Sequence, residues 1–240
     1  DYKIKKIWTN FYPNSIGLLY STITDYLGFE INEGEFKVMS LSSFGKPIYE
    51  KELKKMFDIN NFTINMDYFE FHKSPSKSFS KKLCEVFGEP YLNINEEANF
   101  NKYADIASST QLILEHTMKN LIQKAIHLSG KRKVVLTGGV ALNCKMIHSL
   151  SKQSIFEEMI VPPSPGDSGS AIGAANFAFL EKSKTKTLNF SNIFLGPKKN
   201  FINKKENKDN FFSKINVTND FIIDAVTKLI NGEIIASYYG

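Results

Sequence analysis

The sequence predicts an α/β fold, and three observations predict it. Helix-length amphipathic segments alternate with short apolar runs, the order expected when helices cover a mostly parallel sheet. Two of those runs, at 133–137 and 158–161, each lead through a glycine- or proline-rich loop into a helix-forming stretch. Hydrophobic residues make up 42% and charged residues 23% of the 240, the balance of a globular, water-soluble domain.

Taken in order, residues 14–29 read as a helix. Asn14 or Ser15 would cap it, Leu18, Leu19, Ile23 and Leu27 give it an apolar face, and Gly28 stops it. A short helix follows at 34–41, ending at the loop Ser42-Ser43-Phe44-Gly45-Lys46-Pro47, and another at 49–57. Residues 62–69 alternate apolar with polar, which predicts a strand. The polar, Ser- and Pro-interrupted stretch 72–103 reads as a surface insertion with one helix near 78–87. The longest helix is expected at 103–129, where Ile106, Ile113, Leu114, Met118, Leu121, Ala125 and Ile126 recur at helical spacing before Gly130.

Residues 133–137 read as an apolar strand buried on both faces. A helix at 140–149, a strand at 158–161 and a small-residue helix at 170–180 follow. Residues 182–210 form a Lys- and Asn-rich loop, and a helix at 220–231 with a strand from Glu233 closes the chain. The chain begins at Asp1 and ends within an apolar run, so it is expected to be a fragment, with part of its sheet unpaired.

Composition excludes several classes. The net charge is +5 and the pI about 8.9, but no basic stripe interleaves with stacking aromatics, so nucleic acid is not expected as a partner. Two cysteines, Cys84 and Cys144, without a CxxC pair indicate neither a disulfide framework nor a zinc ribbon, and they suit a reducing cytoplasm. No apolar run approaches the roughly 20 residues of a membrane span. His72, His116, His127 and His148 show no metal-ligand spacing.

Three constellations can carry chemistry. Leu136-Thr137-Gly138-Gly139-Val140-Ala141-Leu142-Asn143 takes a strand through two glycines toward a helix start. It suits either backbone capture of an anion or a tight turn without a ligand, and it is neither a Walker A loop nor a dinucleotide fingerprint. Pro162-Pro163-Ser164-Pro165-Gly166-Asp167-Ser168-Gly169 is a stiff loop that presents Asp167 at a helix start. That carboxylate suits a helix cap or a hard ligand for a divalent metal. Gly34-Glu35-Phe36-Lys37 places opposite charges around an aromatic; it suits an exposed ion pair, or Lys37 reaching a phosphate as a point charge.

In this order the motifs resemble the amino-terminal domain of the O-carbamoyltransferases of the nodulation-protein-U, cephamycin and tobramycin type. The matching stretches are Ser15-Ile16-Gly17-Leu18-Leu19-Tyr20, Gly34-Glu35-Phe36-Lys37-Val38-Met39 with Phe44-Gly45, and Asn65-Met66-Asp67-Tyr68-Phe69. Asp105-Ile106-Ala107-Ser108-Ser109, Thr137 to Asn143, residues 162–175 and Leu195-Gly196-Pro197 continue it; 72–100 matches least. The resemblance implies an actin/Hsp70/sugar-kinase-like (ribonuclease H-like) fold, incomplete here and mainly its second half. Residues 211–240 would begin the connection to a missing carboxy-terminal adenylate-forming domain.

The implied chemistry makes carbamoyl-adenylate from ATP and carbamoyl phosphate, with Mg²⁺, and passes the carbamoyl group to the hydroxyl of a small-molecule acceptor beside iron (Fe²⁺). Gly138, Gly139 and Asn143 would hold the nucleotide, with Glu35 and Lys37 on its side. Asp167 would be catalytic as a metal ligand, and Asp67 would face the acceptor. The family's upstream His-x-x-x-His ligand pair and its Arg-Met-Glu-Phe-Gly-Pro-Arg-like segment are absent, so the fragment alone is expected to be inactive. A homodimer is compatible with the resemblance, and the acceptor stays open. The alternatives are a tRNA threonylcarbamoyladenosine-type transferase and a kinase or nucleotide switch on the actin-like fold.

Overall fold

A computed structural model describes residues 4–74, 77–183 and 219–235, and the chain divides into two compact units, residues 1–184 and 185–240. The first is built around α5 (Glu97–Ser129), 33 residues and therefore about 50 Å long at 1.5 Å per residue. α1 (Ile16–Tyr26), α2 (Glu35–Leu41), α3 (Glu50–Met56) and α6 (Cys144–Ser151) all pack on it. Ser15 caps α1 by accepting from the Leu18 N–H, and Gly28 leaves that helix at φ +83°. Gly130 ends α5 in the left-handed conformation with its N–H on the Ile126 carbonyl.

Between α3 and α5 the chain forms a two-stranded antiparallel hairpin, β1 (Phe57–Asp58) with β2 (Thr63–Ile64), and then α4 (Lys81–Phe87). The strand expected over 62–69 is thus only two residues long. Asn65 accepts the Asp67 N–H through its side chain and turns Met66–Tyr68 into a 3-10 turn, a local hydrogen bond that competes with strand pairing. The stretch expected to be a surface insertion supplies Phe79, Leu83 and Phe87 to the core. The two phenylalanine rings pack on Tyr26, 5.5 Å (Phe79) and 5.8 Å (Phe87) away between centroids, and the Tyr26 hydroxyl donates toward the carbonyls of Gly88 and Glu89. Polar composition concealed these apolar anchors. α5 also starts six residues earlier than its apolar periodicity suggests.

β3 (Lys133–Val135) and β4 (Glu158–Ile160) pair in parallel, joined through α6. The expectation of a strand buried on both faces is corrected. Val134, Leu136 and Met159 pack against the core, whereas Val135 and Ile160 are 64% and 50% exposed. Among the described residues nothing covers that outer face. α7 (Gly169–Lys182) likewise buries no residue. Residues 139–142 form a 3-10 turn, so the helix expected from 140 begins at Cys144.

In the second unit α8 (Asn219–Ile230) is described, and residues 233–235 carry no strand. Most of the expected loop at 182–210, Leu195-Gly196-Pro197 and the end of the closing strand lie outside the described residues. No described helix is long and apolar enough to cross a membrane.

Candidate functional site: the glycine loop and its braces

The glycine loop is clasped to the proline loop. Thr137 Oγ1 and the Gly138 N–H both donate to the Pro165 carbonyl, at 2.9 and 2.7 Å, so the two loops that follow β3 and β4 stand side by side. Gly138 takes φ +98°, which favours glycine. A Cβ on Gly138 or Gly139 would meet nothing within 4 Å, so the loop's exposed backbone has open space in front of it. Gly169 has the opposite character: a Cβ there would lie 2.1 Å from the Ser164 carbonyl oxygen, so the tightness of the proline loop requires glycine.

Asn143 closes the glycine loop and caps α6, its Oδ1 accepting the Met146 N–H at 2.8 Å. The same oxygen accepts from Gln111 Nε2 at 3.0 Å, while Asn143 Nδ2 donates to Gln111 Oε1 at 2.9 Å. Tyr20 donates to that Gln111 oxygen from α1 at 3.1 Å, and Gln111 also donates to Glu115. Burial pushes the Tyr20 hydroxyl well above the ordinary tyrosine range, so it stays protonated as a donor.

Asp167 stands exposed on the proline loop, and its carboxylate bonds to nothing among the described residues; Ser168 holds the cap position of α7 without a side-chain cap bond. The local alternative of a helix cap is therefore not what the carboxylate does. Among the described residues no group of three or more His, Cys, Asp or Glu side chains is placed to hold a metal. A site of the two-histidine, one-carboxylate kind needs three protein ligands, so these residues alone do not fit iron.

Glu35 and Lys37 do not pair with each other. Glu35 accepts from Ser21 Oγ at 2.7 Å and from the Asn32 N–H at 3.1 Å, which ties α2 to α1. The Lys37 ammonium lies 5.6 Å from the Phe29 ring centroid and 5.9 Å from that of Phe36. Asp67 pairs with Lys82 at 2.7 Å on an exposed face beside a shallow groove that includes Glu70, His72 and Ser80. No described hydrogen bond or ion pair joins Asp67 to the glycine loop.

Two other motifs singled out in the sequence prove to be packing partners. A Cβ on Gly45 would lie 2.0 Å from the Ala104 carbonyl oxygen, and the Lys46 and Tyr49 N–H groups donate to Asp105 Oδ1 and Ser109 Oγ. Sequence reasoning missed Gln111 and Lys145. Gln111 carried a usable signal, since it sits four residues after Ala107 and three before Leu114, within the stripe that α5 buries.

The two loops that follow the parallel strands are clasped at the Pro165 carbonyl, with exposed glycine backbone on one and the Asp167 carboxylate on the other. The family model for the carbamoyltransferase N-terminus matches residues 1–176. The chain belongs to that carbamoyltransferase family. An uncharacterized protein of Synechocystis sp. is 36% identical over 70% of this chain and 28% of its own length. The nodulation protein NolNO of Sinorhizobium fredii is 28% identical over 72% and 24%, and an uncharacterized protein of Methanocaldococcus jannaschii 29% over 94% and 37%. The chain thus spans between about a quarter and somewhat over a third of the length of these relatives.

Proposed function

We propose that the protein is an ATP-dependent O-carbamoyltransferase working through carbamoyl-adenylate. The carbamoyl group comes from carbamoyl phosphate, which water hydrolyses to carbamate and inorganic phosphate with release of a proton. The resulting carbamate attacks the α-phosphorus of ATP and pyrophosphate departs. An acceptor hydroxyl then attacks the carbamoyl carbon, the carbon–oxygen bond to AMP breaks, and the hydroxyl proton leaves to solvent or a base. Adenylation belongs to a part of the protein beyond these residues, and transfer to the domain described here, to which we assign the actin-like fold; the parallel β3–α6–β4 crossover is of the kind that fold uses.

The observation that carries this reading, besides family membership, is the Pro165 carbonyl accepting from both Thr137 and Gly138. It sets the exposed glycine backbone beside the loop bearing Asp167. The Gly139 backbone and Asn143 hold the adenylate, and Glu35 supports them by fixing α2 to α1. Asp167 is one ligand of an iron ion whose other ligands lie outside these residues. Asp67 belongs to the acceptor side. Free Cys84 and Cys144 accord with a reducing cytoplasm, and a small molecule rather than nucleic acid is the acceptor.

The test supplies the full-length protein with ATP, Mg²⁺, Fe²⁺ and carbamoyl phosphate labelled on carbon, and a panel of hydroxyl compounds. Label in a carbamate ester is expected, lost in Asp167→Ala. Phosphoryl transfer with ADP release instead would replace this reading with a kinase on the same fold.

A further inference from the structure

The end of α2 and the first turn of α6 meet beside Asn143. Lys145 projects from α6 and donates to Ser42 Oγ at 2.8 Å and Ser43 Oγ at 3.3 Å. The Ser42 hydroxyl donates in turn to the Met39 carbonyl at 2.6 Å, which fixes its lone pair toward the ammonium. Cys144 Sγ lies 3.8 Å from Met39 Sδ, so two successive residues of α6 touch α2. No Asp or Glu oxygen lies within ion-pair distance of Lys145 among the described residues, where Lys54, Lys82, Lys133 and Lys228 each have one. Lys145 is half-buried, positioned by neutral acceptors, and keeps its charge uncompensated two residues from Asn143.

We infer that Lys145, held by Ser42 and Ser43, binds the phosphate of a nucleotide seated at the glycine loop. An ammonium neutralised by a carboxylate has little field left for an anion, whereas one held by hydroxyls retains it. Lys37, the lysine that sequence pattern nominated for the phosphate, instead lies against the Phe29 and Phe36 rings. The inference rests on the nucleotide-binding part of the proposed function and adds to it the group that meets the phosphate.

The test uses the full-length protein and two probes, AMP and adenosine, which differ by the phosphate alone. Calorimetric titration is expected to show AMP binding at least tenfold tighter than adenosine. Lys145→Met, which keeps the chain length and drops the charge, is expected to abolish that advantage, and Lys145→Arg to retain it to within about threefold. A thermal midpoint measured for each variant shows that the fold persists. AMP binding unchanged in Lys145→Met overturns the inference and leaves the nucleotide site standing. Equal weakening by Met and Arg also overturns it, by showing a packing role. A wild-type protein that binds no AMP removes the nucleotide site and this inference together, while pyrophosphate release tests the first chemical step separately.

Discussion

Gln111 and Asn143 face each other as a doubly hydrogen-bonded amide pair, which fastens the end of the glycine loop to the long helix α5. Gln111 is 2% exposed, and Tyr20 adds a third bond to the pair from α1. The loop's conformation is therefore set from three elements.

Replacing Gln111 with Leu keeps the volume and strands the buried Tyr20 hydroxyl and one side of the Asn143 amide. Leaving a buried polar group unsatisfied costs about 1–3 kcal/mol. Urea unfolding is expected to show a loss in that range, and titration a weakening of AMP binding. Gln111→Glu would bury a second carboxylate against Glu115 and the Asn143 oxygen, and should lose at least as much stability as Leu.

Gly45 has no room for a side chain, because the Ala104 carbonyl would lie 2.0 Å from its Cβ. Gly45→Ala must displace the backbone of α5 or of the loop, and overpacking of that kind costs about 1–3 kcal/mol or more. A lower unfolding midpoint is expected, whereas Gly139→Ala, with open space at its Cβ, should shift it far less.

Asp58 gives a pH signature. Its carboxylate accepts from the Asn60 and Asn61 N–H groups and from the Asn61 side chain, and the Asn61 backbone bond leads in holding its pKa below the usual carboxylate value. A lowered folded pKa means the stabilisation is present above the unfolded value, about 3.9, and disappears as pH falls through the folded one. Asp58→Asn is expected to lose about 1 kcal/mol near neutral pH, since the site is partly solvated. The gap from wild type should close below about pH 4.

Asp167 is exposed and has no side-chain partner among the described residues, so Asp167→Ala should leave stability within about 0.5 kcal/mol. The same variant is expected to lose carbamoyl transfer and retain pyrophosphate release. A folding defect in Asp167→Ala would argue against a purely chemical role.

Much of this was legible in the sequence because it is local. The Ser15 cap and the α1 stop at Gly28, the stop of α5 at Gly130, and the glycine and proline loops all announce themselves within a few residues. The strand expected at 62–69 was not legible because Asn65 turns its own backbone, a choice that alternation cannot register. The core role of Phe79, Leu83 and Phe87 was hidden by polar neighbours, and depends on contacts with Tyr26 more than 50 residues away. Glu35 and Lys37 were singled out as a pair, and the partners they have instead, Ser21, Phe29 and Phe36, follow from the approach of α1 to α2. The Lys145–Ser42 contact joins residues 103 positions apart, and nothing local marks it.

The central claim is carbamoyl transfer by way of an adenylate, and exchange of labelled pyrophosphate into ATP by the full-length protein tests it most directly. The account predicts exchange that requires carbamoyl phosphate and Mg²⁺ and persists in Asp167→Ala. Exchange indifferent to carbamoyl phosphate, or ATP consumed only to ADP, would contradict it.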